Sequence, residues 1–484
     1  MKNILFILFL PILASAQGYW QQKVDYKMNI NFDVKNHQFS GTTQLTYWNH
    51  SPDTLNRVFF HLYLNAFQPN SMMDVRSRTI EDPDLRVKDR IFNLKPNEIG
   101  FQKITSFKQD GQSATFITEG TVLEVQLASP ILPGASSVFN LNYDSQVPIQ
   151  VRRNGRNSSE GIDYSMAQWF PKIAEYDKRG WHAHPYVGRE FYSPWGNYDV
   201  EITIDKNYLL AASGILQNPS EIGYGYAPEN LVKRPKGKTL TWKFKAENVH
   251  DFMWAADRDY VHETYPVENG PELHFFYQKD TNTTAWSELP KLTALAFSYM
   301  NENFGKYPYP VFNIIQGGDG GMEYPMSTLI TGNRLIGSLL GVTIHEAFHS
   351  WYQGVLATNE SYYEWMDEGF TSYGTSITMG YLAGESAGRS MSGNYRGYFA
   401  LAASGKEEPM STHADHYETN FAYGRAAYSK GAVSLAQLGY IIGEEALKTA
   451  LIRYFNEWKF KHPDLNDFIR VMEKTSDLEL DWYY

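Results

Sequence analysis

Two histidines four residues apart, His345 and His349, enclose a glutamate in the string His345-Glu346-Ala347-Phe348-His349. On a helix, residues four apart share one face, one turn above each other. Two imidazoles placed this way can ligate one metal ion, and Glu346 on the same turn can face the water that such an ion activates. A hydrolytic metal site needs a third protein ligand and one open position. Eighteen residues separate His349 from Glu368, which stands in Trp365-Met366-Asp367-Glu368-Gly369-Phe370. Trp365, Met366 and Phe370 read as the apolar packing of a second helix, and Glu368 as the carboxylate that helix aims back at the metal. Two histidines and one glutamate make a ligand set for Zn2+, one ion per chain, that also accepts cobalt or manganese. The structural alternative, histidines merely satisfied inside a core, leaves the third carboxylate unexplained.

These side chains need rigid elements to hold them. Residues 335–352 have helical spacing and carry both histidines. Residues 286–304, 432–442 and 444–455 read as further helices, with Gly305 as a stop after the first, and 464–474 as a short capped one. The chain before them has another character. Val24, Tyr26, Met28, Ile30, Phe32 and Val34 alternate with polar residues at period two, the pattern of a strand with one dry face. Residues 121–127, 138–143, 199–204 and 240–244 repeat that style, with Pro133-Gly134 as a turn between two of them. The change from β to helical character falls near Tyr260. Residues 74–100 are polar and aperiodic and read as a surface excursion.

Composition narrows the class. The chain has 484 residues, 54 acidic and 43 basic, for a net charge of −11. That length suggests two or three domains. The acidic balance argues against a nucleic-acid partner. A hydrophobic fraction of 43% excludes a mostly disordered chain, and the absence of cysteine excludes disulfides, thiolate zinc sites and cysteine nucleophiles. Lys2, the apolar run 4–12 and the small residues Ala14-Ser15-Ala16 predict a secretory signal peptide over residues 1–16. The run is shorter than the roughly 20 residues of a membrane span. No comparable run follows, so the mature chain is expected to be exported, periplasmic or secreted, without a membrane span.

The zinc strings resemble those of the aminopeptidase N family of zinc exopeptidases, which includes the leukotriene hydrolase branch. Its signature is His-Glu-x-x-His, eighteen residues, then Glu, and the chain matches it without a gap. Upstream, Gly320-Gly321-Met322-Glu323-Tyr324 is similar to the family's Gly-x-Met-Glu-Asn, with Tyr324 in the place of Asn. Downstream, Ala427-Tyr428-Ser429-Lys430-Gly431 matches a family tyrosine before Lys-Gly, and Tyr423 stands five residues earlier, like a second tyrosine of the leukotriene hydrolase branch. Residues 61–67 and 249–252 look like family landmarks in the β half. The resemblance implies an α+β multidomain fold: an N-terminal all-β, saddle-like domain, residues 17–260, then a thermolysin-like, mostly helical catalytic domain, residues 261–484. A helical C-terminal domain is expected to be absent or truncated.

The resemblance also implies roles. His345, His349 and Glu368 hold the metal, Glu346 is the general base, and Tyr428 stabilises the oxyanion. Glu323 binds the substrate's free α-amine, with Met322 and Gly321 beside it in the substrate-binding string. The activity implied is hydrolysis of the N-terminal peptide bond of peptides with a free N-terminus. A zinc endopeptidase and a non-catalytic peptide-binding relative are the competing readings. Glu323 speaks against the first, because an endopeptidase needs no carboxylate for an amine. Glu346 speaks against the second, because a binder needs no base. Weaker signals are Gln168 as a residue near the substrate amine and Arg425 as a partner for a carboxylate. His182 and His184 read as a solvated turn rather than a metal pair, and His413 and His416 as facing water or the cleft mouth.

Overall fold

Strict alternation makes the first half of the chain a sheet structure. In the strand Lys23–Asp33 every second residue from Val24 to Phe32 is buried, as a half-dry face requires. The computed structural model describes residues 18–189 and 192–483, so the predicted signal peptide lies outside the described residues. Lys23–Asp33 pairs antiparallel with Gln38–Trp48 and parallel with Trp195–Asp205 at the centre of an eight-stranded sheet. Thr239–Val249 and Ile215–Leu216 extend it on one side, and Ser136–Gln146, Phe101–Gln109 and Gln112–Ser113 on the other. Two four-stranded sheets pack with it. One runs Lys172–Ile173, Leu55–His61, Val122–Ile131, Thr115–Glu119, and the other Leu209–Ala212, Trp254–Asp257, Tyr164–Met166, Gly155–Arg156. The landmark segments 61–67 and 249–252 meet here: His61 pairs with Lys172 in the ladder, and Lys172 forms a fully buried ion pair with Asp251 at 3.0 Å.

A five-stranded sheet opens the second half. Its order is Tyr260–Pro266, Glu272–Gln278, Val311–Gln316, Ser327–Ile330, Gly321–Tyr324. The last is an antiparallel edge strand turned back through Pro325 and Met326, the latter at φ 63°. Helices then dominate: Leu289–Phe304, Ile336–Tyr352, Phe370–Ala383, Ser392–Ser404, Gly431–Ile442, Glu444–Trp458 and Leu465–Ser476. An N-terminal all-β region is thus followed by a mostly helical one. The hydrophobic core is continuous from Val24 to Leu480 and runs through both halves. Lys178–Asp464 at 2.7 Å and Gln21 Nε2 donating to the Phe460 carbonyl at 2.9 Å join them further.

Three expectations change. The helix expected over 286–304 begins at Leu289, because Pro290 belongs in a first turn and residues 284–287 form a separate 3-10 turn. Residues 74–100 run mostly over the surface as expected, but the excursion is folded and anchored rather than free. Met72–Thr79 is a helix capped by Ser71, and Met73, Val87 and Ile91 are buried with Tyr63, Phe67, Val151 and Tyr186 in a satellite core. Their irregular spacing hid them from any periodicity test. His182 is buried rather than solvated: its Nε2 meets Asp177 at 2.8 Å and its Nδ1 meets the Asn359 amide at 3.1 Å, linking the two halves.

The last helix shows how local chemistry fixes an element. Asp464 accepts from the backbone N–H of Asn466 and Asp467 while the Asp467 carboxylate accepts from the Asp464 N–H, a reciprocal cap. Asp464→Ala is expected to destabilise the protein by about 1 kcal/mol. The measurement is a urea unfolding curve, with a lower midpoint and an unchanged slope.

Candidate active site

The helix Ile336–Tyr352 is buried along most of one side, with His349 inside and His345 half-exposed. It packs against the edge strand Gly321–Tyr324. A Cβ built on Gly321 would lie 2.1 Å from Glu346 Oε1, so the carboxylate rests on bare backbone that only glycine offers. Two residues on, Glu323 is buried in the ladder opposite Thr328, with its Oε2 4.0 Å from His349 Nε2. Met322 is buried between them, and its carbonyl accepts from Thr328 Oγ1 at 2.9 Å.

Glu368 arrives on a wide turn. Trp365–Gly369 is a π-helical turn leading into Phe370–Ala383, and such turns re-aim side chains at functional sites. Glu368 Oε2 lies 3.2 Å from His345 Nε2 and 3.3 Å from His349 Nε2. A second π-helical turn, Arg425–Lys430, presents Tyr428, whose hydroxyl donates to Glu368 Oε1 at 2.5 Å. The Tyr428 ring also stacks on His345 at 6.0 Å. The two turns cross at glycines: a Cβ on Gly369 would be 2.6 Å from Gly431 Cα.

Asp367, missed in the sequence, meets the other nitrogen of the inner histidine. His349 Nδ1 lies 2.5 Å from Asp367 Oδ1 and 3.2 Å from Thr371 Oγ1. With Nδ1 so engaged, Nε2 is the ring nitrogen turned toward Glu368 and Glu323, the second-layer arrangement that orients a ligating imidazole. A carboxylate directly before Glu368 was the available signal. Glu364 was also missed; it accepts from the Tyr423 hydroxyl, and the Arg189 guanidinium lies 3.5 Å over the Tyr423 ring.

Five carboxylates, Glu323, Glu346, Glu364, Asp367 and Glu368, thus share one buried region. Burial pushes the Glu346 carboxyl well up, and the Glu323 charge adds to it. Glu364 is raised by burial and by Glu368. Burial pushes Asp367 up to about 8 against the opposing pull of His349. At Glu368 burial is outweighed by the His349 charge and by hydrogen bonds from both histidines, which hold the carboxyl low. Tyr428 is raised by burial first and by Glu368 second.

Such a concentration of negative charge suits a divalent cation, and the donor geometry fits one. Ligands of a tetrahedral zinc at about 2.0–2.1 Å lie roughly 3.3–3.4 Å apart. The two histidine–glutamate separations of 3.2 and 3.3 Å match this. His349 Nε2 is buried and faces the carboxylates of Glu368 and Glu323 at 3.3 and 4.0 Å. His345, His349 and Glu368 bring their ligand atoms within 4.8 Å of one another. A second trio, Glu323, His349 and Asp367, does so too, but Asp367 meets the ring at Nδ1, away from Nε2, and so orients rather than ligates. Among the described residues there is no further group of three such donors.

Arg425 is exposed, and its guanidinium lies 3.1 Å from a Cβ built on Gly397 of a neighbouring helix. His184 is exposed, with its ring 5.3 Å from that of His413, which stacks on His416 at 4.4 Å. Gln168 is buried in a left-handed conformation at φ 43°.

Residues 291–484 match the peptidase family M1 domain. The chain carries a peptidase family M1 domain. The chain is 33% identical to aminopeptidase B of Rattus norvegicus over 165 residues, 31% of this chain and 24% of the relative. It is 30% identical to leucine aminopeptidase 2 of Neosartorya fischeri over 352 residues, 65% of this chain and 54% of the relative. The match spans about a quarter of aminopeptidase B and about half of leucine aminopeptidase 2. In fold the chain is similar to an M1 zinc metallopeptidase of Deinococcus radiodurans bound to a Tyr-Ser-Ala substrate. The TM-score is 0.65 at 16% identity, covering 94% of this chain and 90% of the other.

If Asp367 orients His349, Asp367→Asn is expected to weaken zinc affinity by about 10–100-fold. Competition with a chromogenic chelator checks it.

Proposed function

We propose that this chain is a zinc-dependent aminopeptidase that hydrolyses the N-terminal bond of peptides with a free amine. The observation that carries the reading is the buried Glu323 carboxylate 4.0 Å from His349, one element away from the base Glu346. The aminopeptidase relatives support it. The sequence of residues 1–16 supports export, and so substrates outside the cytoplasm.

His345, His349 and Glu368 would hold the zinc, which supplies Lewis acidity toward the scissile carbonyl when bound. Glu346, its proton affinity raised in the dry site, takes the proton of the attacking water and returns it to the leaving amine. The Tyr428 hydroxyl, now on Glu368, turns to the oxygen on which negative charge develops, where one preorganised donor contributes about 3 kcal/mol. Glu323 accepts the substrate ammonium, a charge-assisted bond that is strong because the strand around it is buried. The fixed separation of Glu323 from the histidine pair then admits only one residue before the scissile bond. Gly321 keeps this arrangement open by leaving space for the Glu346 carboxylate.

The test compares aminoacyl chromogenic amides with their N-acetylated counterparts on zinc-loaded protein. Cleavage confined to the free-amine set is expected. Equal cleavage of the acetylated set would make the protein an endopeptidase, and none of either would make it a binding relative. Glu346→Gln is expected to lower kcat by about 100-fold or more. Glu323→Gln is expected to raise KM for free-amine amides by about tenfold or more.

A further inference from the structure

The segment between Ser71 and Gly100 touches elements on both sides of the site that holds these residues. It is rooted in the β half through the buried Met73, Val87 and Ile91 and through Gly100 N–H donating to the Phe67 carbonyl at 3.0 Å. From that base Asp82 reaches the helix that begins at Asn420. Its Oδ1 and Oδ2 accept from the backbone N–H of Asn420 and Phe421 at 2.8 and 2.7 Å, and its carbonyl accepts from the Asn420 amide at 2.8 Å. Thr419 satisfies the next N–H, that of Ala422, at 3.0 Å. Asp82 thus provides, from 338 residues upstream, a cap that local sequence leaves incomplete. The capped helix continues through Tyr423 into the wide turn that bears Tyr428.

Four positions on, the same segment meets the other side. Arg86 Nη1 donates to the Asp319 carbonyl at 2.9 Å, and its remaining fork is bidentate on Asp84 at 3.1 and 2.8 Å. Arg152 pairs with Asp319 Oδ2 at 2.9 Å and lies 3.7 Å from Asp84. Asp319 sits in the glycine loop that runs into Gly321-Met322-Glu323. Its neighbour Gly320 is tied from below, where its carbonyl accepts from Thr331 N–H at 2.7 Å. Five consecutive residues span at most roughly 14 Å. The two anchoring points therefore cannot drift apart without breaking one set of these bonds.

We propose that Asp82 and Arg86 are positioning residues that hold the Tyr428 helix and the Glu323 strand at a fixed separation across the site. The proposal rests on the aminopeptidase reading for its kinetic consequence, not for the contacts themselves. Loosening the Glu323 strand weakens ammonium binding and appears in KM. Loosening the Tyr428 helix misplaces a transition-state donor and appears in kcat. The strap therefore predicts a split that a general loss of stability does not.

Arg86→Ala is expected to raise KM for free-amine amides about fivefold with kcat within about twofold, and Asp82→Ala to lower kcat about tenfold with KM little changed. Arg86→Lys, which can still reach the Asp319 carbonyl, and Asp82→Asn, which keeps one acceptor, are expected to recover part of each effect. Lys406→Ala removes the exposed pair with Glu81 at 2.8 Å on the same segment and is expected to change neither constant. Amide hydrogen exchange gives a readout independent of activity. Arg86→Ala should speed exchange in residues 317–324 alone, and Asp82→Ala in residues 419–430 alone. Parallel losses in kcat and KM that track melting temperature, or unchanged exchange in both segments, would overturn the proposal. A wild-type protein inactive on free-amine amides would overturn the aminopeptidase reading instead, and exchange would then decide the strap by itself.

Discussion

The site depends on bringing carboxylates together where water cannot screen them. Five acidic side chains converge on two histidines in a region that is largely buried, and burial opposes the charged form of each. Only opposite charge, hydrogen bonds and close backbone approach make such a cluster sustainable. The histidine pair holds Glu368 ionised, while Tyr423 and Tyr428 each donate to one of the carboxylates. The glycine contact between Gly369 and Gly431 lets the two wide turns meet without intervening side chains. Much of the helical half can be understood as the frame for that meeting.

The wide turns also explain how neighbouring residues take different tasks. On a regular helix Asp367 and Glu368 would point about 100° apart along one thread. The π-helical turn instead sends Asp367 to one nitrogen of the inner histidine and Glu368 to the other. An imidazole gripped from both sides has one orientation. Rigidity at the metal-facing nitrogen thus comes from a carboxylate that does not itself face the metal site.

Much of this was legible in the sequence because the informative residues are close together or periodic. His345, Glu346 and His349 lie within one helical turn, and the helix around them follows ordinary patterning. Glu368 was found through a string whose neighbours Trp365, Met366 and Phe370 are buried as expected, and Glu323 and Tyr428 through strings that resemble those of a known family. The strands of the first half were written in their alternation. What stayed hidden depends on contacts far apart in the chain. Asp82 and Asn420 share no local pattern, and Met73, Val87 and Ile91 follow no period. The wide turns leave no mark that separates them from ordinary helix in the sequence.

The contact between Gly321 and Glu346 has a consequence for how such a protein can diverge. The strand that bears Glu323 and the helix that bears Glu346 pack so closely at Gly321 that an added methyl group would press on the Glu346 carboxylate and on Val342. On the proposed aminopeptidase reading, a substitution that shifts the strand to suit a different N-terminal residue presses on the Glu346 carboxylate at the same time. Selectivity and turnover are therefore not separable traits along this edge of the sheet. Adaptation toward new substrates has freer scope on walls that do not lean on the catalytic helix.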